Sequence, residues 1–468
     1  MRVVVVGGGI GGLAVALFLP FRGHDVTVVE RDAMDGPVDA DEAWTSWRRP
    51  GVAQLRQIHL FNARGRRVLR DRAPGVLARL RAEGAGEIHL GGPDDDELVR
   101  LTCRRTTYEW VLRQAVLDGG GARVLGRTRV VGLLGDGQRV TGVRTADGRR
   151  LPADLVVDAS GRRSPLPRWI AALGARPPAR HEDREGTVSY TRWYRLRSEE
   201  EASLVRADLG YAAAVVGPAD NAMFCVTFGC LDDDVALRPL RHNAAFDAAV
   251  AAIPPVAAWT QPDRARVESD VLFMAERTNR LTQMAGAGGT VTAGVVALAD
   301  SAVCTNPGYG RGVGLALVHA GCLADLLDEL GDAGDAPLDA ARGFAATTAC
   351  ELEPWYHAAV EGDRVRRVIS LRLRAGERWE TIGAPGDHPA VRFARGASYA
   401  VASDPVVARA FHRAFQLLDP PSSYWRNRDV EARVEAVWQT MDRSPPPPPG
   451  PDHRTMSALL ARATEARR

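Results

Sequence analysis

Residues 2–30 read RVVVVGGGIGGLAVALFLPFRGHDVTVVE. A mostly β-branched run, Arg2 to Val6, leads into Gly7-Gly8-Gly9-Ile10-Gly11-Gly12. An apolar helix from Leu13 to Leu19 follows, and a second strand ends at Glu30. Strand, glycine turn, helix and strand in this order make a βαβ unit that binds a dinucleotide. Gly7 permits the tight turn, Gly9 lets the backbone approach a pyrophosphate, and Gly12 lets helix and strand pack closely; Gly11 lies in the same turn. The helix N-terminus offers its free N–H groups to the negative charge. Glu30 stands where a carboxylate accepts hydrogen bonds from both ribose hydroxyls, and its charge opposes a 2′-phosphate. The ligand class is therefore an adenosine diphosphate cofactor, FAD or NAD rather than NADP. Arg31, next in the chain, is a further candidate contact.

Composition narrows the chemistry. The 468 residues are 45% hydrophobic and carry a net charge of +2, which points to a globular chain with no nucleic-acid partner. Every basic residue is arginine, so no mechanism can rest on a lysine Schiff base or a lysine general acid. Six cysteines without CxxC spacing and ten histidines without HxxxH spacing suggest neither a zinc site nor a disulfide framework. With no leader and no apolar run of membrane-spanning length, a cytoplasmic location is expected.

A second glycine loop lies far downstream, in LADSAVCTNPGYGRGVGLALVHA, residues 298–320. It follows an apolar strand, Thr290 to Leu298, and precedes a helix expected to begin near Val313. FAD is too long for one loop to hold both ends. The first loop would take the adenosine diphosphate, Asp300 would bond a ribityl hydroxyl, and the N–H groups around Gly312 and Val313 would face the flavin N1 and C2 oxygen. Pro307 and Gly308 would line the ring, with Gly310 in the same turn. Between the loops, Asp32 to Pro50 reads as a loop, a helical pattern runs from Gln57, and a further helix spans Thr106 to Leu117. A β-meander ends at DASGRRS, residues 158–164. Residues 187–290 hold most of the clustered aromatics, in strands such as TVSYTRWYRLR, with a hairpin at Gly217 to Asn221 and a short helix stopped by Pro254-Pro255. A glycine-aspartate loop at Gly331 to Asp339 and a proline run at Ser444 to Asp452 precede a short basic tail helix.

GGGIGG with Glu30, DASGRRS and LADSAVCTNPGYGRG together resemble the FAD-dependent monooxygenase superfamily typified by para-hydroxybenzoate hydroxylase. The likeness is greater to the bacterial branch that includes the polyether epoxidases. QLRQIHLFNARGRRVL, residues 54–69, RRTTYEWVLR, residues 104–113, and EPWYHAAVEGDRVRR, residues 353–367, are similar to segments of that branch. The resemblance implies that Arg105 and Arg56 contact the FAD pyrophosphate or ribityl chain. It also implies hydroxylation or epoxidation through a flavin C4a-hydroperoxide, with no essential side-chain acid or base. His59 is the one candidate of that kind, read as packing or contacting FAD. Ser160 replaces the aspartate of the usual Asp-Gly pair, Ala299 replaces a glycine, and Arg311 replaces a frequent glutamine; the first change leaves direct reduction by a nicotinamide in question. The absence of lysine argues against a flavin halogenase.

The expected fold is α/β: a Rossmann-like FAD-binding domain of the glutathione-reductase type in two parts, residues 1–186 and 290–345. An antiparallel substrate-binding sheet, 187–289, is inserted between them, and a helical segment, 346–443, and a proline-rich spacer and tail, 444–468, follow. Tyr190, Trp193, Tyr194, Phe224 and Phe228 are the candidate substrate wall. The expected activity is an FAD-dependent monooxygenase of secondary metabolism, acting on a hydrophobic small molecule and molecular oxygen. NAD(P)H would supply electrons directly or through a separate flavin reductase. The alternatives are an oxygen-independent reductase or dehydrogenase of the geranylgeranyl-reductase type and a flavin-binding protein without turnover.

Overall fold

In the computed structural model, residues 1–92, 94–184, 186–198, 200–275, 278–286, 291–331, 335–441 and 448–465 are described. The N-terminal motif builds the centre of a five-stranded parallel sheet, in the order Val295–Ala297, Leu155–Asp158, Arg2–Val6, Asp25–Val29, Ala122–Leu125. Val3 to Val6 are all buried, as a parallel strand covered on both faces requires. DASGRRS thus returns the chain to the strand next to the first one. Thr290, the expected start of the strand before the second loop, lies outside the described residues; the observed strand is Val295–Ala297.

Helix Gly312–Leu330 packs across Ile10–Phe18, and Leu13, Leu17, Leu317, Ala320, Leu323 and Leu327 share one core. Helix Ala63–Arg72 approaches it closely: a Cβ on Gly314 would sit 2.2 Å from Asn62 Oδ1. The helical pattern expected from Gln57 begins only at Ala63, because Asn62 caps it by accepting from Gly65 N. Residues 57–61 are instead non-helical, with Phe61 bridged to Leu101. The expected loop at 32–50 also contains a helix, Ala40–Thr45, capped by Asp39.

Strands Val130–Gly135, Val140–Thr145 and Arg150–Pro152 form the anticipated meander. The aromatic-rich region forms an antiparallel sheet in the order Val205–Asp208, Ala212–Pro218, Met223–Leu231, Thr187–Leu196, Ala265–Val267, with Leu272–Met274 also pairing Thr187–Leu196. RVESDVLFMAER therefore gives two short strands in place of one. Helices Glu353–Arg374, Pro389–Ser403, Pro405–Phe415 and Arg428–Thr440 follow. The tail helix, His453–Glu465, packs on the antiparallel sheet's own core through Met456 and Leu460. Residues 332–334 and 444–447 of the two expected loops lie outside the described residues. Among the described residues no helix is long and apolar enough to cross a membrane.

Candidate functional site

The first glycine loop is shaped by backbone approach. Gly7 has φ +110°, and a Cβ there would lie 2.6 Å from Ala159 O; one on Gly12 would lie 1.9 Å from Gly7 O. A Cβ on Gly9 would meet nothing, so space is open above the helix N-terminus. That helix has no side-chain cap and no acid in its first turn, which leaves its amides available to an anion. Glu30 is buried, accepting from Gly8 N at 2.7 Å and Asp32 N at 2.8 Å. Arg31 is mostly exposed beside Asp32.

Sequence reading missed the cation that organises this end. Arg49 is buried and bonds Glu30 at 3.2 Å, Asp32 at 3.1 Å, Gly8 O at 3.3 Å and Glu109. Although burial alone would lower its pKa, Glu109, Glu30 and Asp32 together raise it. Glu109 also accepts from Arg105 Nε at 3.1 Å, and Arg105 Nη1 reaches His59 Nε2 at 3.1 Å. Burial, reinforced by Arg105, pushes His59 down to about 3. The ring is therefore neutral, with Nδ1–H donating to Gln57 O at 3.0 Å and Nε2 accepting from Arg105. It orients an arginine and carries no proton for catalysis. Arg56 is committed to the backbone: it donates to Trp44 O at 2.8 Å and 2.9 Å and to Trp47 O at 3.0 Å.

At the second loop, Ala299 holds φ +54°, a left-handed conformation natural to the glycine it replaces. Its N–H is bonded to His319 Nδ1 at 3.1 Å. Asp300 follows; burial raises its pKa against the opposing pull of Arg162 and Arg105. Asp158 is fully buried and caps its own turn, accepting from Ser160 N at 3.1 Å and from the hydroxyls of Ser160 and Ser164. Gly161 N donates to Ser301 Oγ at 3.0 Å, which ties the DASG turn to the second loop.

The loop itself is pinned by one carboxylate on helix Glu353–Arg374. Asp363 accepts from Asn306 Nδ2 at 3.0 and 3.1 Å, Asn279 Nδ2 at 2.8 Å and Tyr309 Oη at 2.9 Å. Asn306 Oδ1 in turn accepts from Gly308 N at 2.9 Å, and Asn306 N donates to Asn279 Oδ1 at 2.6 Å. Pro307–Tyr309 form one tight turn, Gly310 adopts φ +65°, and the long helix starts at Gly312 without a side-chain cap. Val313 stands in its first turn. Arg311 is not solvent-facing: it is 3% exposed, set against the Tyr309 and Trp355 rings at 4.6 and 4.9 Å. Its Nε and Nη1 have no acceptor, and burial lowers its pKa to about 10. The open cradle over Gly9, two uncapped helix N-termini and an unanswered buried cation at the second one fit an FAD. Glu30 would hold its ribose and Asp300 its ribityl chain.

The substrate wall is corrected by strand alternation. Tyr190, Tyr194, Phe224 and Phe228 pack into the core beneath the tail helix and helix Asn243–Ala251, Tyr190 opposite Phe228 and Tyr194 opposite Phe224. The other face of the same strand carries Thr187, Ser189, Thr191 and Trp193, and it is the face that meets the part built on the two glycine loops. Thr187 Oγ1 reaches Asn306 Oδ1 at 3.4 Å, Thr191 Oγ1 donates to Gln57 Oε1 at 2.8 Å, and Trp193 Nε1 donates to Arg56 O at 2.8 Å. Of the five aromatic candidates only Trp193 lies on that side, packed with Trp44, Met223 and Cys225. The aromatics gathered where burial is greatest, which is the helix-covered face.

Residues 2–163 match the family model described as FAD dependent oxidoreductase. Over these residues the chain is similar to FAD-dependent oxidoreductases. Protein Rv3254 of Mycobacterium tuberculosis is 27% identical over 463 residues, covering 89% of each chain. The chloroplastic zeaxanthin epoxidase of Oryza sativa subsp. japonica is 31% identical over 172 residues, 34% of this chain and 25% of that protein. PqsL, a probable FAD-dependent monooxygenase from Pseudomonas aeruginosa, shares the fold with a TM-score of 0.57 at 21% identity, over 80% of this chain and 98% of its own. The resemblance drawn from the motifs is borne out: the matched family model, the named relatives and the shared fold are those of FAD-dependent oxidoreductases and monooxygenases.

Proposed function

We propose that this enzyme inserts one oxygen atom, by hydroxylation or epoxidation, into a hydrophobic small molecule of secondary metabolism. The observation that carries this reading is the clamped loop Asn306–Gly312 facing the Thr187–Thr191 side of the antiparallel sheet, with no free acid or base between them among the described residues. His59 is held neutral, and Asp363 is saturated by its donors. When bound, the flavin would activate oxygen, and the protein's part is to fix the ring, exclude water and align the substrate. Glu30 and Arg49 would hold the adenosine end. Asp300 and the amides of Gly312 and Val313 would hold the flavin end, while Pro307 and Gly308 keep its face uncovered. NAD(P)H is the electron source. Ser160 has its hydroxyl turned back onto Asp158, which favours delivery through a separate flavin reductase.

The purified protein should carry one FAD per chain. Glu30→Ala and Asp300→Ala should each weaken FAD binding by about tenfold to a hundredfold, as expected for the loss of a hydrogen bond to a charged group. A colourless protein that binds NAD in calorimetry would contradict the reading.

A further inference from the structure

Arg100 lies on strand Val99–Thr102 and is 4% exposed, yet it has no hydrogen bond or ion pair among the described residues, and its Nε is sealed without an acceptor. Burial lowers its pKa to about 10 with no carboxylate opposing the shift. Three carboxylates of its own hairpin are already taken. Glu87 is held by Arg66 and Arg81, Asp95 by Arg409, and Glu97 by Arg413. Alternation sends Leu101 to the core beside Phe61, so Arg100 lies on the opposite face of the strand. Helix Pro405–Phe415 approaches there, and His412 is the titratable group that senses Arg100. A desolvated guanidinium with no partner is rare unless a ligand supplies one. The same strand runs directly into Arg104 and Arg105, at the candidate flavin site.

We propose that Arg100 and the facing surface of helix Pro405–Phe415 bind the carboxylate of a hydrophobic organic ligand. The guanidinium fork suits a carboxylate in two-point contact. The apolar body follows from the setting: Leu98 is buried beside it, and Phe411 and Phe415 stack on the approaching helix. An anion entering this place leaves water, and an attached apolar body offsets that cost. That the ligand is the substrate rests on the oxygen-insertion reading. The binding itself does not, because it is measured on the oxidised protein without turnover.

The test is calorimetric titration of the FAD-loaded protein with 1-naphthoate, 1-naphthamide and acetate. Naphthoate should bind about tenfold or more tighter than naphthamide, the ratio a charge-assisted contact supplies, and acetate should bind weakest. Arg100→Met should erase the preference for naphthoate and melt at or above the wild-type temperature, since a buried unpaired charge is removed; Arg100→Lys should fall between. Equal binding of naphthoate and naphthamide, or unchanged naphthoate binding by Arg100→Met, would overturn the proposal. So would acetate binding as tightly as naphthoate, or a melting temperature of Arg100→Met well below wild type.

Discussion

Replacing Asp363 by asparagine tests whether helix Glu353–Arg374 holds the second glycine loop. The carboxylate accepts from the two side-chain amides Asn279 and Asn306 and the phenol of Tyr309, all between 2.8 and 3.1 Å, and it is 2% exposed. Asparagine keeps the shape but turns one acceptor oxygen into a donor that faces another donor. Hydrogen bonds to a buried charge contribute about 1.5 to 3 kcal/mol each, and they are not additive in a shared network. A total loss of about 3 to 5 kcal/mol is expected, similar to breaking a buried charged contact. Most of it should appear as loop freedom, because Asn306 fixes Gly308 N and Tyr309 fixes the turn before Gly312. FAD affinity, followed by quenching of flavin fluorescence, should therefore weaken by about a hundredfold or more while far-ultraviolet circular dichroism is retained. If Asp363→Asn binds FAD within about twofold of wild type, the clamp is not what shapes the loop.

His319 is fully buried and neutral, its Nδ1 accepting from Ala299 N and its Nε2 donating to Thr348 Oγ1 at 2.9 Å; burial lowers its pKa to about 3. Below about pH 6.5 the unfolded chain binds a proton that the folded one refuses, so stability is lost as pH falls at about 1.4 kcal/mol per unit. Between pH 6.5 and 5 wild type should lose about 2 kcal/mol more than His319→Gln in urea unfolding, and parallel curves would contradict the assignment. Phe228→Ala removes a ring stacked edge-on against Phe246 at 5.2 Å and should lower stability by about 3 to 5 kcal/mol, with peroxide yield per reduced cofactor unchanged. A rise in peroxide without loss of stability would restore Phe228 to the substrate wall. Arg311→Gln removes an unscreened charge worth on the order of 2 kcal/mol to an anionic reduced flavin, which lowers the midpoint potential by about 40 mV. An unmoved potential would show that the guanidinium serves Tyr309 and Trp355 alone.

The cofactor end of this protein was legible because its signals are local. Backbone approach at Gly7 and Gly12, a carboxylate at the end of the second strand and a second loop ending at Gly312 each follow from a few consecutive residues. What stayed hidden depends on contacts between distant segments. Asp363 looked like one acid among many on a charged helix, and only the fold brings it to Asn306. Arg49 sat in a stretch without period, read as a loop, and its three carboxylates lie 17 to 60 positions away. The aromatic wall failed for a different reason. A strand buried on both faces, as Thr187–Leu196 is, gives no pattern that tells which face is covered by helices and which by the part built on the two glycine loops. Arg56 carries a motif resemblance, yet its fork closes on Trp44 and Trp47 carbonyls, a contact with no sequence signature.

The central claim is that oxygen, and not hydrogen, is transferred. The FAD-loaded enzyme should be photoreduced without oxygen, mixed with candidate hydrophobic metabolites under oxygen-18 gas, and the products weighed by mass spectrometry. A product carrying one oxygen-18 atom is expected, with no product in the anaerobic control. A product formed without oxygen and heavier by two hydrogens would contradict it and make the enzyme a reductase.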